Sequence, residues 1–192
     1  MLAQALLFLI DTFLGLFAAV LLVRFYLQVM RAPARNPLSH FVLAVTDWIV
    51  RPARRVIPGW GGLDLSTLVL AWATEFLLLV ASRLVQMMVI GELPMPVAGF
   101  ALLAVVAIVR TSLYILMGAL ILQAVLSWVA PHSPVAPVLN GLVRPFLQPI
   151  QRRVPPVGNV DLSPLLLIVA VQLVLMLLIP WLGGLVAGLL GG

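Results

Sequence analysis

A stretch of 31 residues occurs twice in this chain, and the duplication limits the folds open to it. Residues 36–66, NPLSHFVLAVTDWIVRPARRVIPGWGGLDLS, return as residues 133–163, SPVAPVLNGLVRPFLQPIQRRVPPVGNVDLS, at a constant offset of 97. Eight positions are identical: Pro37/Pro134, Pro52/Pro149, Arg55/Arg152, Pro58/Pro155, Gly61/Gly158, Asp64/Asp161, Leu65/Leu162 and Ser66/Ser163. Most others exchange one apolar residue for another. The chain therefore reads as two copies of one unit, residues 1–95 and 96–192.

Apolar runs flank both copies. The chain is 64% hydrophobic and 9% charged, where globular domains lie nearer half and a quarter. Four runs, about 2–28, 67–89, 105–129 and 164–182, are long enough to cross a bilayer as helices. The third run extends back toward Val97, which requires strong tilt or an interfacial piece before Arg110. The fold expected is an all-α membrane protein: four transmembrane helices as two parallel tandem repeats. Arg24 is the first basic residue and Asp11 interrupts the first run, so that run reads as a retained span and not a cleaved signal.

Within each unit, a cap precedes a short amphipathic helix. Asn36-Pro37 and Ser133-Pro134 pair an N-cap side chain with Pro at the first helical position. Leu38, Phe41, Val42, Val45, Trp48 and Ile49 then fall on one helical face, as do Val135, Val138, Leu139, Leu142 and Phe146. Ser39, Asp47 and Arg51 take the other side. At about four turns this is too short to span, and it fits a helix lying in the interface. A Pro- and Arg-rich hairpin follows. Pro52, Pro58, Asp64, Ser66, Pro149, Pro155, Asp161 and Ser163 are its structural turn residues. Ser66 and Ser163, the latter followed by Pro164, read as N-caps of the next span. The pairs Arg55–Asp64 and Arg152–Asp161 are expected to brace the turns.

All eleven basic residues are Arg, and the net charge is +5. Six lie in the hairpins: Arg51, Arg54, Arg55, Arg144, Arg152 and Arg153, with Arg31 and Arg35 just before the first. The link between the units carries only Glu92. The positive-inside rule puts the hairpins in the cytoplasm and both termini outside. Two spans per unit relate the copies by a pseudo-two-fold along the membrane normal. The six arginines are the candidate binding residues, for anionic lipid headgroups or for a membrane-protein partner. Single-strand binders interleave aromatic and basic residues, and no such strip occurs, so direct nucleic-acid contact is not expected.

Asp11, Arg24, Glu75, Arg83 and Arg110 lie inside the spans, where ionisable groups are expensive. Depth along antiparallel helices allows two pairs, Asp11–Arg83 and Arg24–Glu75. One reading is a polar path through the bundle, which an oligomer would complete. The other is neutralised charge that holds helices together, with Arg24 and Arg110 snorkelling to the interfaces.

No GxxxxGK[ST], HExxH or GxSxG motif occurs. There is no Cys, and His40 and His132 are the only histidines. No metal site, cofactor or nucleophile–base set is expected, and the chain does not read as an enzyme. Gly15, Gly118 and Ala119 allow close helix contacts.

The pattern NP…RP.RR.IP..GG.D.S, repeated as SP…RPF..PI.RR.PP.G..DLSP, resembles the YggT family of bacterial membrane proteins, whose plastid and cyanobacterial relatives include the YlmG proteins. The resemblance covers nearly the whole chain as two units. It implies a multi-pass protein of the bacterial inner membrane without known enzymatic activity. Relatives are linked to osmotic-stress tolerance and ion uptake, to division or nucleoid organisation, and in plastids to cofactor assembly on a cytochrome complex. A scaffold or assembly factor acting through the hairpins is the first reading. Ion transport using the intramembrane charges and haem assembly are the alternatives. The first copy departs from the pattern at Thr67, against Pro164, and at Asp47-Trp48, against Arg144-Pro145.

Overall fold

The computed structural model describes residues 1–31, 36–59, 61–91, 97–130, 132–154 and 161–190. Arg35, Glu92, Pro155 and Gly158 lie outside the described residues. The chain forms α1 (Leu2–Val29), α2 (Pro37–Val56), α3 (Leu65–Ile90), α4 (Val97–Val129), α5 (Ala136–Gln151), α6 (Ser163–Leu173), a π turn (Val174–Leu178) and α7 (Ile179–Leu190), with no strand among the described residues. Among the described residues, four stretches are long and apolar enough to cross a membrane: Leu2–Val29, Leu65–Met88, Val97–Val129 and Ser163–Gly188. Large apolar side chains such as Phe8, Leu16, Leu77 and Leu166 stand exposed along them, so the bilayer is the solvent that satisfies that surface.

The third span is one unbroken helix of 33 residues. At about 1.5 Å per residue it is about 50 Å long, well beyond a hydrocarbon core of about 30 Å. The last span runs on past Trp181 to Leu190. Pro180 lacks an N–H and its ring would meet the carbonyl of Met176 in a regular helix. The π turn that contains Met176 widens the backbone there and lets the helix continue through the proline. Gly91 ends α3 in the left-handed conformation, φ 70, with its N–H on Met87 O at 3.1 Å.

The two units share one core pattern. Leu21, Leu22, Val50 and Ala71 bury together among α1, α2 and α3. Ala119, Leu120, Leu139, Val143, Leu147, Leu167 and Val171 bury together among α4, α5 and α6. Under the 97-residue offset Val42, Thr46 and Val50 fall on Leu139, Val143 and Leu147, and all six are buried. The duplication in sequence is thus a duplication in packing.

A third cluster joins the units: Leu27 of α1, Val42 of α2 and Val138 of α5. It places α2 and α5 at the same end of the bundle, as tandem repeats with an even number of spans require. The units are also tied through the span region. Tyr26 Oη donates to Ser112 Oγ at 2.7 Å, and Trp72 Nε1 donates to Ala101 O at 3.1 Å.

Several expectations about the hairpins change. Pro52 and Pro149 lie within α2 and α5, not in the turns, and so do Arg51, Arg54, Arg55 and Arg144. Both prolines sit at exposed positions, where the freed carbonyl one turn back is not stranded in a core. The buried stripe of α2 is Ser39, Val42, Thr46 and Val50. Phe41 and Trp48 remain exposed on its flank, Trp48 at 68%, so the apolar face is shared between bundle and interface. Helix α5 likewise buries Val138, Leu139, Leu142, Val143 and Leu147 and leaves Phe146 exposed.

Capping also shifts. Asn36 caps α2 as expected, its side chain accepting from Ser39 N at 2.9 Å. Helix α5 starts later, at Ala136, because Pro137 is tolerated only in a first turn. Ser133 Oγ instead accepts from Val135 N ahead of it, at 3.3 Å. Ser66 and Ser163 lie inside their helices; Asp64 caps α3 by accepting from Thr67 N, while the N-cap position of α6 is Leu162 and Asp161 accepts from Ser163 N just ahead of it.

Candidate functional site

The hairpin end of the bundle gathers most of the charge, and its polar groups fall into two buried nodes and an exposed remainder. The first node ties α1 to α2. Arg24 is 5% exposed, and its Nη1 donates to Asp47 Oδ1 at 2.8 Å and to Thr46 Oγ1 at 2.7 Å. Thr46 Oγ1 passes its own hydrogen to Val42 O at 2.6 Å. Arg51, one turn along α2, reaches Asp47 Oδ2 at 2.6 Å. Partial burial raises the Asp47 carboxyl, but the bonds and charges of Arg24 and Arg51 outweigh it and hold it below the ordinary range. Arg24 is therefore paired with Asp47 and not with Glu75, and it is buried instead of snorkelling. Depth along the spans could not reveal this, because Asp47 comes from an element that does not span.

The second node holds the end of α2 to the start of α3. Asp64 accepts two bonds from Arg54, one from Nε at 3.0 Å and one from Nη2. It also accepts from the hydroxyls of Ser66 and Thr67, the latter at 2.5 Å, and from Thr67 N at 3.4 Å. Burial raises the carboxyl, yet these donors bring it down to about 2. The brace is Arg54–Asp64, not Arg55–Asp64. In the second unit the same offset puts Gln151 where Arg54 stands. Gln151 Nε2 donates to Asp161 Oδ2 at 2.7 Å, and Ser163 N donates to Oδ1 at 2.9 Å. The Ser163 hydroxyl, its N–H and Gln151 lower that carboxyl too. Arg152 is not the brace. Position 54/151 faces back toward the aspartate because α2 and α5 continue helically through it, so the next residue turns outward.

Arg55, Arg144, Arg152 and Arg153 remain. All four are exposed, and none bonds a carboxylate among the described residues. Three of the four belong to the second unit, where Arg144 replaces Asp47. The two units therefore differ in charge: the first pairs Arg24, Arg51 and Arg54 with its own aspartates and presents Arg55, and the second presents Arg144, Arg152 and Arg153.

Within the spans, Glu75 is 1% exposed and its Oε1 accepts from Thr111 Oγ1 of α4 at 2.7 Å. Its Oε2 has no partner among the described residues. Glu75 shares a groove of about 540 Å³ with Asp11, Gly15, Ala19, Arg110 and Tyr114. Arg83 Nη1 donates to Gln86 Oε1 at 3.4 Å, and no ion pair joins Arg83 to Asp11. A second, apolar cavity of about 280 Å³ lies between α1, α4 and α5, with Tyr26, Ala119, Leu142 and Phe146 on its wall. His40 and His132 are both exposed. No cluster of three or more His, Cys, Asp or Glu suited to a metal ion occurs among the described residues.

Comparison with known proteins places this arrangement. An uncharacterized protein of Pseudomonas aeruginosa is 35% identical over 179 residues, covering 91% of this chain and 88% of the relative. The uncharacterized protein YggT of Escherichia coli is 34% identical over 169 residues, covering 87% and 85%. An uncharacterized protein of Vibrio alginolyticus is 33% identical over 171 residues, covering 86% and 88%. No solved structure matches the chain. The family model described as CCB3/YggT matches twice, over residues 3–85 and 102–182, one match for each unit of the duplicated bundle. The chain is a helical membrane protein that belongs to the CCB3/YggT family.

Proposed function

We propose that this chain is a non-enzymatic scaffold or assembly factor of the bacterial inner membrane, docking anionic headgroups, or a partner bearing them, on its hairpin end. In this reading the hairpins are cytoplasmic and both termini face outward, as the arginine distribution favours. One observation carries it. Arg55, Arg144, Arg152 and Arg153 are exposed at one end with no carboxylate partner among the described residues, while Arg24, Arg51 and Arg54 are neutralised beside them. Uncompensated guanidinium groups at the depth of lipid phosphates make charge-assisted, often bidentate bonds to them. Exposed Phe41, Trp48 and Phe146 on the same two helices are suited to the headgroup boundary.

The test separates these four arginines from the structural ones. Purified chain is offered phosphatidylglycerol and phosphatidylcholine in detergent, and retained lipid is read by native mass spectrometry. Phosphatidylglycerol is expected to be retained preferentially, and the quadruple variant R55Q/R144Q/R152Q/R153Q to lose that preference while still folding. Equal retention by the variant removes the proposal.

A further inference from the structure

Asp11 and Arg110 pose a problem that the hairpin surface does not solve. Both lie within spanning helices, both are exposed, and neither has a bonding partner among the described residues. Charges at membrane depth face a bundle interior or water, or pair with one another. These two line the same groove with opposite signs and are not bridged to each other. Asp11 lies nine residues into α1 and Arg110 thirteen into α4, counted from helix ends that share the side opposite the hairpins. At the helical rise those depths are about 14 Å and about 20 Å, a difference that one arginine side chain spans.

The groove is also shaped to admit a helix edge. Asp11, Gly15 and Ala19 fall one turn apart on one face of α1, and small residues at that spacing let another helix approach closely. Tyr114, one turn from Arg110 on α4, is exposed at the rim. At the groove wall, buried Glu75 keeps Oε2 unbonded. The surface is thus self-complementary: an acidic, small-residue strip on α1 beside a cationic, aromatic edge on α4.

We propose that the occupant is a second copy of this chain, docked on a two-fold along the membrane normal, with Arg110 of each copy against Asp11 of the other. Such an axis keeps both copies in the same orientation and depth. It also makes the contact reciprocal, as a closed dimer requires. Lipid alone leaves both charges uncompensated, and a foreign helix would need the same two charges in mirrored places.

The experiment uses full-length chain carrying two different affinity tags, co-expressed and extracted in mild detergent. Wild type is expected to capture its differently tagged self. D11R alone and R110D alone are each expected to lose at least tenfold of that capture, because each homodimer then opposes like charges. Co-expressed D11R and R110D are expected to capture each other at near wild-type yield, since the mixed dimer contains both bridges. A bridge within one chain predicts no such mixed capture. Wild type that is monomeric, single reversals that self-capture normally, or a mixture of monodisperse variants that fails to associate would each overturn the proposal. Should a reversal fail to insert, D11N and R110Q replace it: each weakens capture and the double variant weakens it no further than either. Additive losses would overturn the proposal by that route.

Discussion

Arg24 on α1 and Asp47 on α2 meet at 2.8 Å with the guanidinium buried, and this contact fixes the non-spanning helix to the first span. The second unit does without it. There the offset places Ile121, Val143 and Arg144 in the positions of Arg24, Thr46 and Asp47. No ionic contact stands at that place: Ile121 is half-exposed, Val143 is buried in the second unit's core and Arg144 is exposed. Losing both partners of a buried pair together is often close to neutral.

Removing one partner is a different matter. D47A is expected to destabilise the chain by about 3 kcal/mol, because it strands a buried guanidinium. The double variant R24I/D47A is expected to recover most of that loss. Thermal or chaotrope unfolding in detergent, read as a double-mutant cycle, checks it. A double variant as unstable as the sum of the singles would contradict the pairing.

The two aspartates that precede α3 and α6 should be unequal. Asp64 is buried and receives Arg54, two hydroxyls and a backbone N–H, whereas Asp161 is exposed and receives Gln151 and one N–H. D64A is expected to cost about 2 kcal/mol and D161A at most about 1 kcal/mol. The pH dependence follows with a definite sign. Asp64 titrates at about 2 in the folded chain, against an ordinary 3.8. Its contribution is therefore complete above pH 4 and lost as pH falls from there toward 2. Unfolding midpoints measured across that window should drop in wild type and drop less in D64N.

Glu75 and Thr111 form the only bond described for that buried carboxylate. T111V removes the donor and is expected to destabilise by about 1–3 kcal/mol, leaving Glu75 with neither oxygen satisfied. T111S keeps the hydroxyl and should stay near wild type. Unfolding of the three proteins side by side decides between this bond and a purely steric role for Thr111.

Much of this architecture was legible in the residues, and the reasons for success and failure are local. The offset of 97 announced two units, and periodicity with length located four spans, because backbone satisfaction in lipid leaves few alternatives. Asn36 was readable as a cap since capping needs only the next three residues. The choice between Arg54 and Arg55 was not, because it depends on whether α2 continues helically through Pro52. Proline argued for a turn there, and an exposed position with tertiary support overrode it. The pairing of Arg24 escaped for another reason. Ranking partners by depth along spanning helices overlooks an acid on a helix lying across their ends. The groove joining Asp11, Glu75 and Arg110 required three helices to be placed in rotation as well as depth.

The central claim is that two copies of one unit stand side by side, with both arginine-bearing hairpins at one membrane face. The chain contains no native Cys, so single R55C and R152C variants can be labelled in oriented vesicles with a membrane-impermeant maleimide. The account predicts that both react from the same side and neither from the other. Reaction of the two positions from opposite sides would contradict it.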